Sequence, residues 1–492
     1  MKAKHVWWSV AAVVTAGAVA ATAGLGIAIN NEYKNLQHGE PFTVAAPTTP
    51  LAPAPQPQGD LNEQALQTRL DAVLSDASLG TFGASVTDTT TGEVVWQHNA
   101  TKPLLPASST KVLTAAAATI ALGEDHRITT EVVKGKTPGN VVIRAAGDVW
   151  LTDSRIEHLA KQIEKHADES GEQITGVFVD TSIWPGTGVG GADQDFNSGW
   201  DRLDIDGGYI APMQPLMRFG ARIGETGGAH GSGSGGELTG DMPRSHTPAL
   251  DVANRLAKRL GANTTGFAPA PETPSAEPAD ESAVARDTDA TAEVGADSIA
   301  NSAPSSAAES GPGTVLATTR SDRLDERAQH MMKHSDNVMA EAIGRELALE
   351  RGEEATFEGA TKATREVLEE SGIDLTDVRL TDNCGLSKHN RIPAAVLDAV
   401  VAAAVDKPEL RYMLGYLPVA GGDGTLATRY DDSAGRGYVR AKTGTLTGTS
   451  ALAGTAVGES GRLYSFGMIS NGSDINEARA GLDALASALR EF

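Results

Sequence analysis

The chain has 492 residues, with 41 Lys and Arg against 64 Asp and Glu and a formal net charge of −23. That acidity excludes the basic stripe a nucleic-acid partner requires and disfavours charge-driven adhesion to anionic lipid. The single cysteine, Cys384, excludes an internal disulfide and any multi-cysteine zinc site, while the length leaves room for two or three domains around an ample core.

Residues 1–5 carry the basic start of the chain, and residues 6–29 hold no charge at all. As a helix that stretch would be roughly 36 Å long, against a hydrocarbon core of about 30 Å. The pattern predicts export, with residues 1–31 as signal peptide or membrane anchor. Ala21-Thr22-Ala23 offers a small-x-small cleavage site, so both fates stay open. Residues 32–60 form a linker whose later part is rich in Pro, Ala and Thr (Pro53-Ala54-Pro55-Gln56-Pro57), a semi-extended spacer rather than a fold.

Folded sequence begins near Leu61, and residues 61–128 read as the first part of a catalytic domain. Leu66, Leu70, Val73 and Leu74 recur at helical spacing. Runs 82–88 and 93–98 flank Thr89-Thr90-Thr91-Gly92 as a hairpin. The alanine-rich run 112–122 predicts a buried helix. From 129 to 267 short strand-like runs, such as 141–145 and 177–179, alternate with turns, which predicts a large β-rich inserted region. The glycine-dense run 224–236 lacks the Gly-Lys-Ser/Thr ending of a phosphate loop and reads as a loop between strands. Residues 268–313 are acidic, with Arg286 the only basic residue and no aromatic, and are expected to be disordered.

Residues 314–492 read as the second part of the catalytic domain. Runs 339–349, 360–368 and 393–405 predict helices, the last with Pro393 in its first turn. Runs 438–443, 451–457 and 463–469 predict strands, and 475–489 a closing helix. With the early hairpin these make five strands. The expectation is an α+β fold in which one antiparallel sheet, flanked by helices, joins both ends of the chain.

Three short stretches carry the chemistry: Ser108-Ser109-Thr110-Lys111, Ser335-Asp336-Asn337 and Lys442-Thr443-Gly444-Thr445. Pro106-Ala107 sets up a helix start that places Ser108 and Lys111 on one face. A serine hydroxyl is a weak nucleophile until a base takes its proton, and an ordinary lysine is charged and cannot. Burial, with a second cation from Lys442, would lower the pKa of Lys111 and make it that base. Alone, the pair reads as well as a capping serine and a surface lysine. Ser335 is placed to relay protons and Asn337 to hold a peptide carbonyl and the lysine, although Ser, Asp and Asn are also ordinary N-caps. Gly444 on a strand lets a ligand backbone approach, Lys442, Thr443 and Thr445 receive a carboxylate, and the N–H groups of Ser108 and Thr445 form an oxyanion hole. By itself that tripeptide is equally a strand end with a turn glycine.

Together, the three motifs resemble those of penicillin-binding proteins and β-lactamases. Their flanks make the resemblance narrower. Pro106-Ala107 precedes the first motif, Val338-Met339-Ala340-Glu341 follows the second, Leu417-Pro418-Val419-Ala420-Gly421-Gly422-Asp423-Gly424-Thr425-Leu426 precedes the third, and Leu446-Thr447-Gly448 follows it. These are similar to the D-alanyl-D-alanine carboxypeptidase/endopeptidase family of low-molecular-mass penicillin-binding proteins. The separation of the first two serines, 335 − 108 = 227 residues, fits its large-insertion branch. The resemblance implies a transpeptidase-like fold and an exported serine DD-peptidase with Ser108, Lys111 and Ser335 as catalytic residues. Asn337, Lys442, Thr443, Gly444 and Thr445 are then the binding residues, peptidoglycan stem peptides the substrate, and β-lactams covalent inhibitors. It leaves open carboxypeptidase against endopeptidase preference, a β-lactamase or esterase of the same fold, and a non-catalytic wall scaffold. No metal or cofactor is expected. His330 and His334 are four apart, but the segment between them lacks the Glu of a zinc hydrolase motif. No Gly-x-Ser-x-Gly elbow surrounds Ser108. Asp382-Asn383-Cys384-Gly385-Leu386-Ser387 departs from the family's usual Asp-Gly-Ser-Gly-Leu-Ser. Cys384 reads as a small buried hydrophobe, and Asp382, Asn390 and Arg391 as braces of the site.

Overall fold

Tyr464, Phe466 and Met468 alternate with Ser465, Gly467 and Ile469 along one strand, and this two-residue period builds the central sheet. The computed structural model describes residues 59–187, 194–224, 240–268 and 311–492. The predicted signal or anchor segment, nearly all of the linker, most of the glycine-dense run and the acidic stretch 269–310 lie outside the described residues. Among the described residues no helix is long and apolar enough to cross a membrane.

In chain order, helix α1 (Glu63–Asp76) leads into strands β1 (Thr81–Asp88) and β2 (Glu93–His98), then helix α2 (Lys111–Leu122). Strands β3 (Thr129–Lys134) and β4 (Asn140–Arg144), helix α3 (Asp153–Ser170), strand β5 (Gly176–Asp180), helix α4 (Pro248–Leu260) and strand β6 (Thr264–Phe267) follow. Then come strand β7 (Val315–Arg320) and helices α5 (Leu324–His334), α6 (Asn337–Glu350), α7 (Phe357–Glu370) and α8 (Ala394–Asp406). Strands β8 (Val439–Leu446), β9 (Thr449–Val457) and β10 (Leu463–Asn471) and helix α9 (Ile475–Ala488) close the chain.

The expected sheet is present, in the order β8-β9-β10-β1-β2 with every neighbouring pair antiparallel. Its central strand β10 buries both faces. Tyr464, Phe466 and Met468 pack with Leu66 and Leu70 of α1 and Leu482 and Leu485 of α9. Ile469 joins the opposite core with Leu397 and Val401 of α8 and Leu113 of α2. A Cβ on Gly467 would stand 2.3 Å from the Ala394 carbonyl, so only glycine lets α8 lie this close to the sheet.

The segment between the two halves is more helical than its short apolar runs indicate. Its sheet, β7-β3-β4-β5-β6, is antiparallel at first and then parallel from β4 to β6. Parallel strands require crossovers, supplied here by α3 and α4. Ile156, Leu159, Ala160 and Ile163 bury one stripe of α3 against Val141, Ile143, Val177 and Val179. Strand β7 pairs with β3, so this sheet extends past residue 314.

One buried acid in the central sheet gives a stability prediction. The Asp398 carboxyl on α8 accepts hydrogen bonds from Ser85 Oγ (2.7 Å), Thr87 Oγ1 (2.8 Å) and Ser465 Oγ (2.6 Å). Burial outweighs these donors and raises its pKa to about 6. A raised folded pKa means the folded state holds the proton longer than the unfolded one, so this contribution is full below pH 4 and is lost as pH rises through 6. Asp398→Asn removes the dependence. Urea titrations at pH 4 and pH 7 should show the variant gaining about 3 kcal/mol relative to wild type over that interval. An unchanged difference between the two pH values would contradict this.

Candidate active site

Ser108 lies in a 3-10 turn, Ala107–Thr110, that runs directly into α2 at Lys111. The preceding residue, Ala107, takes a left-handed φ of 48°, an unfavourable conformation for a residue with a Cβ. It is held from two sides. The Ala107 carbonyl accepts from Thr110 Oγ1 at 2.9 Å, and Gly385 packs so closely that a Cβ there would lie 1.9 Å from that oxygen. The first hydrogen bond of the turn runs from Ser109 N to Pro106 O. The Ser108 N–H therefore stands ahead of the intrahelical ladder, where donors lack a helical acceptor.

Lys111 is fully buried, whereas Ser108 is half-exposed. Lys111 Nζ lies 3.1 Å from Ser108 Oγ, 2.6 Å from Asn337 Oδ1 and 2.6 Å from the Cys384 carbonyl oxygen. The last two atoms can only accept. A neutral amine has two N–H bonds and one lone pair, so both donors go to Asn337 and Cys384 and the lone pair is left facing the serine hydroxyl. Burial pushes the pKa of Lys111 down against the opposing pull of the buried acids around it. Burial is the leading cause at Lys111, and the Lys442 pKa is lowered well below its ordinary value by its own burial and then by the charge of Lys111, a repulsion that acts on both amines.

Ser335 joins α5 to α6 with a left-handed φ of 56°. Lys442 Nζ donates to Ser335 Oγ at 2.9 Å and to Thr443 O at 2.8 Å. The second and third motifs therefore meet directly, and Asn337 ties the second to the first. Asp336 is the N-cap of α6, accepting from Met339 N at 2.9 Å, so the ordinary capping role and a place in the site coexist. Asn337 also donates one amide N–H to the Tyr209 carbonyl at 3.0 Å, which draws the middle segment to the site.

β8 is an edge strand. Its outer edge pairs first with the 418–420 segment, Ala441 N to Pro418 O and Ala420 N to Val439 O, both at 2.9 Å. Residues 439 and 441 thus turn their backbone groups outward, and strand alternation does the same for Thr443 and Thr445. Gly444 sits against the 107–110 turn that carries Ser108, where a Cβ would be 2.5 Å from Pro106 O. Thr443 Oγ1 donates to Thr425 Oγ1 at 2.8 Å, and Arg479 Nη2 on α9 donates to Thr445 Oγ1 at 3.0 Å.

Asp382 braces the site floor, accepting from Gly385 N, Ser387 N, Asn390 Nδ2 and Trp200 Nε1 at 2.6–2.8 Å. The Arg391 side chain donates to the Lys388 and Asn390 carbonyls, and its backbone bridges to Arg379, so it closes the 379–391 segment. Glu341, Asp382 and Cys384 bring one ligand-type atom each within 4.8 Å of one another. Both oxygens of Asp382 already hold two hydrogen bonds each, and Lys111 stands beside the group, so the set organises the floor rather than a cation. Burial drives the Cys384 thiol well above its ordinary pKa, which fits a small buried hydrophobe. His330 packs on Trp150 at 4.1 Å between ring centres, and burial lowers its pKa to about 4. His330 is therefore neutral at physiological pH, consistent with a packing role.

Several participants had no sequence signal pointing to a role. The Cys384 and Tyr209 carbonyls act through the backbone, and Arg479 lies on a helix with no motif. Thr425 lies in a stretch that carries the family resemblance, yet nothing there predicts its contact with Thr443.

The D-Ala-D-Ala carboxypeptidase 3 (S13) family matches residues 66–240 and 295–492. The carboxypeptidase DacB of Mycolicibacterium smegmatis is 38% identical over 458 residues, covering 89% of this chain and 85% of that protein. The D-alanyl-D-alanine carboxypeptidase of Actinomadura sp. is 29% identical over 472 residues, covering 87% of this chain and 85% of that one. The crystal structure of penicillin binding protein 4 from Haemophilus influenzae shares the fold, with a TM-score of 0.63 at 21% identity over 87% of this chain and 98% of the other. The match extends across both halves that supply the site, and the chain belongs to the D-Ala-D-Ala carboxypeptidase 3 (S13) family as a serine-type D-Ala-D-Ala carboxypeptidase.

Proposed function

We propose that the chain hydrolyses the terminal D-Ala-D-Ala bond of peptidoglycan stem peptides through an ester on Ser108. The observation that carries this reading is the set of Lys111 contacts, two acceptor-only partners and one hydroxyl, which leave the amine lone pair on Ser108 Oγ. Lys111 takes the hydroxyl proton as Oγ bonds to the penultimate D-Ala carbonyl carbon. The carbonyl oxygen becomes an oxyanion facing the N–H groups of Ser108 and Thr445, a contribution of about 3 kcal/mol per donor. Collapse breaks the C–N bond, and the proton held by Lys111 passes through Ser335, which Lys442 holds by a hydrogen bond, to the departing D-Ala amine, leaving Lys111 neutral again. Water then splits the ester, returning Ser108 and releasing the shortened peptide.

The carboxylate of the leaving D-Ala is received by the Thr443 and Thr445 hydroxyls beside Lys442. Where the leaving group is a cross-linked stem peptide, the same steps amount to endopeptidase action. We infer an extracytoplasmic enzyme, held at the membrane if residues 6–29 are retained. β-Lactams, which mimic the terminal dipeptide, acylate Ser108 and stop there. Incubation with a fluorescent penicillin, and separately with purified stem pentapeptides and cross-linked dimers followed by mass spectrometry, tests this. Wild type should be labelled and should remove one alanine mass, and Ser108→Ala should do neither. Labelling of Ser108→Ala equal to wild type would overturn the reading, and rapid turnover of a chromogenic cephalosporin would favour a β-lactamase.

Arg479 extends the carboxylate end. Its Nη2 holds Thr445 Oγ1, and its Nε has no hydrogen-bond partner among the described residues. A charge-assisted hydrogen bond contributes about 1.5–3 kcal/mol, so Arg479→Ala should raise KM about tenfold or more for peptides ending in a free carboxylate while kcat stays near wild type. Steady-state kinetics on the pentapeptide will show it. An equal loss on a C-terminally amidated peptide would mean that Arg479 acts elsewhere.

A further inference from the structure

Glu341 is fully buried one helical turn beyond Asn337 on α6, and the steps above do not use it. Its Oε1 accepts two backbone N–H groups at once, Asn383 N at 2.7 Å and Cys384 N at 2.8 Å. The peptide that begins with the Cys384 carbonyl is the one that takes an N–H of Lys111 at 2.6 Å. Cys384 therefore has its amide on the Glu341 side and its carbonyl on the base. The same strip is held laterally, with Thr114 Oγ1 donating to the Asn383 carbonyl and Thr364 Oγ1 to Asn383 Oδ1, both at 2.7 Å. These hydroxyls fix Asn383, but among the described residues only Glu341 grips the Cys384 amide.

We propose that Glu341 is a positioning residue for Lys111. Its carboxyl pins the Asn383–Cys384 strip so that the Cys384 carbonyl consumes one N–H of the amine and leaves the lone pair on Ser108. Without that grip, the Cys384 carbonyl is free to tilt away. The amine then has an unassigned donor, and the Ser108 hydroxyl becomes one of several groups it can face rather than the one donor to its lone pair. This inference rests on the reading of Lys111 as base.

The charges facing Glu341 are Asp382 on the same strip, Arg345 one turn along α6, and Lys111 across the strip. Burial, reinforced by the Asp382 charge, raises the Glu341 pKa to about 8, so the group holds its proton at neutral pH. It grips without placing a second full negative charge behind the base. Both hydrogen bonds fall on one oxygen, which makes Gln a close substitute.

The test separates the non-covalent binding constant of a fluorescent penicillin from its acylation rate constant in stopped flow, at pH 7, with folded fraction measured in parallel. Glu341→Gln should acylate within about threefold of wild type. Glu341→Asp, whose carboxyl is withdrawn by one methylene, should acylate about tenfold more slowly, and Glu341→Leu about 100-fold more slowly, with binding little changed in all three. A purely structural role would lower the folded fraction without ordering the rate constants of the folded protein. If Glu341→Leu does not fold, the contrast between Gln and Asp decides alone. Glu341→Asp as fast as Glu341→Gln, or Glu341→Gln as slow as a folded Glu341→Leu, overturns the proposal. Lys111→Met, assayed alongside, reports on the underlying reading separately. Acylation of that variant at the wild-type rate would remove Lys111 as base whatever the Glu341 series shows.

Discussion

Lys111→Met should slow acylation of Ser108 by a β-lactam by about 10³-fold or more while the protein stays folded. The size of the effect follows from what the side chain does. Met fills nearly the same volume, so packing around α2 is kept and the cost of burying an amine disappears. What is lost is the only group among the described residues bonded to Ser108 Oγ. General-base catalysis contributes about 10²–10⁴-fold, and the upper half of that range applies where the base is fixed by two further hydrogen bonds. Two acceptors, Asn337 Oδ1 and the Cys384 carbonyl, are left unpaired, at about 1–3 kcal/mol each, which the removal of the buried amine offsets in part. Intact-mass time courses with penicillin would follow the adduct, and thermal melts the fold. Acylation within tenfold of wild type would assign the base to another group. Lys442→Met makes a useful contrast: Lys442 lies on Ser335 rather than on Ser108, so cleavage of a peptide, whose unstrained amide nitrogen needs its proton to leave, should suffer more than acylation by a β-lactam, whose strained C–N bond opens more readily and keeps its nitrogen tethered.

The sheet and its flanking helices were legible because their periods are unambiguous. Tyr464-Ser465-Phe466-Gly467-Met468 alternates cleanly, and Leu66 and Leu70 mark one helical stripe. The three motifs were legible because hydroxyl, amine and amide groups at fixed short spacing have few other uses in combination. The middle segment was harder. α3 carries Arg155, Glu157, Lys161 and Glu164 on the faces around its buried stripe, so its apolar positions are diluted below what a scan for apolar runs detects. β7 is separated from its partner β3 by some 180 residues and has only Ala317 deeply buried among its apolar positions. Nothing local assigns it to one sheet or the other. The site contacts that escaped notice share one cause. The Cys384, Tyr209 and Thr443 carbonyls belong to every residue type equally, and only tertiary placement gives them a role.

Asp336→Ala should cost about 5 kcal/mol of stability, a large loss for one residue of a polar tripeptide that looks exposed in sequence. Asp336 is fully enclosed in the fold. Besides capping α6, its Oδ2 accepts from Arg222 Nη2 at 2.9 Å and from Arg244 Nη2 at 3.4 Å, both from the middle segment and both buried. Burial alone would raise the Asp336 pKa, but the Arg244 and Arg222 charges overcome it and hold the carboxyl well below its ordinary value. Removing the acid leaves two guanidinium groups without their counter-charge, and breaking a buried pair in this way costs about 3–5 kcal/mol. The cap adds about 1 kcal/mol more. The pH dependence has a definite sign. A depressed folded pKa gives stability that is present above the unfolded carboxyl's pKa, near 4, and is lost as pH falls towards the folded value. Wild type should therefore weaken below pH 4 more steeply than Asp336→Ala. Replacing the whole cluster, in Arg222→Met/Arg244→Met/Asp336→Leu, should recover most of the lost stability, because no charge is left buried and unpaired. It should not recover acylation, since Ser335 and Asn337 flank Asp336 and depend on its anchorage to hold Lys442 and Lys111. Denaturant midpoints paired with penicillin acylation rates on the single and triple variants decide this. A triple variant that is both stable and as active as wild type would show that the middle segment merely fills space beside the second motif.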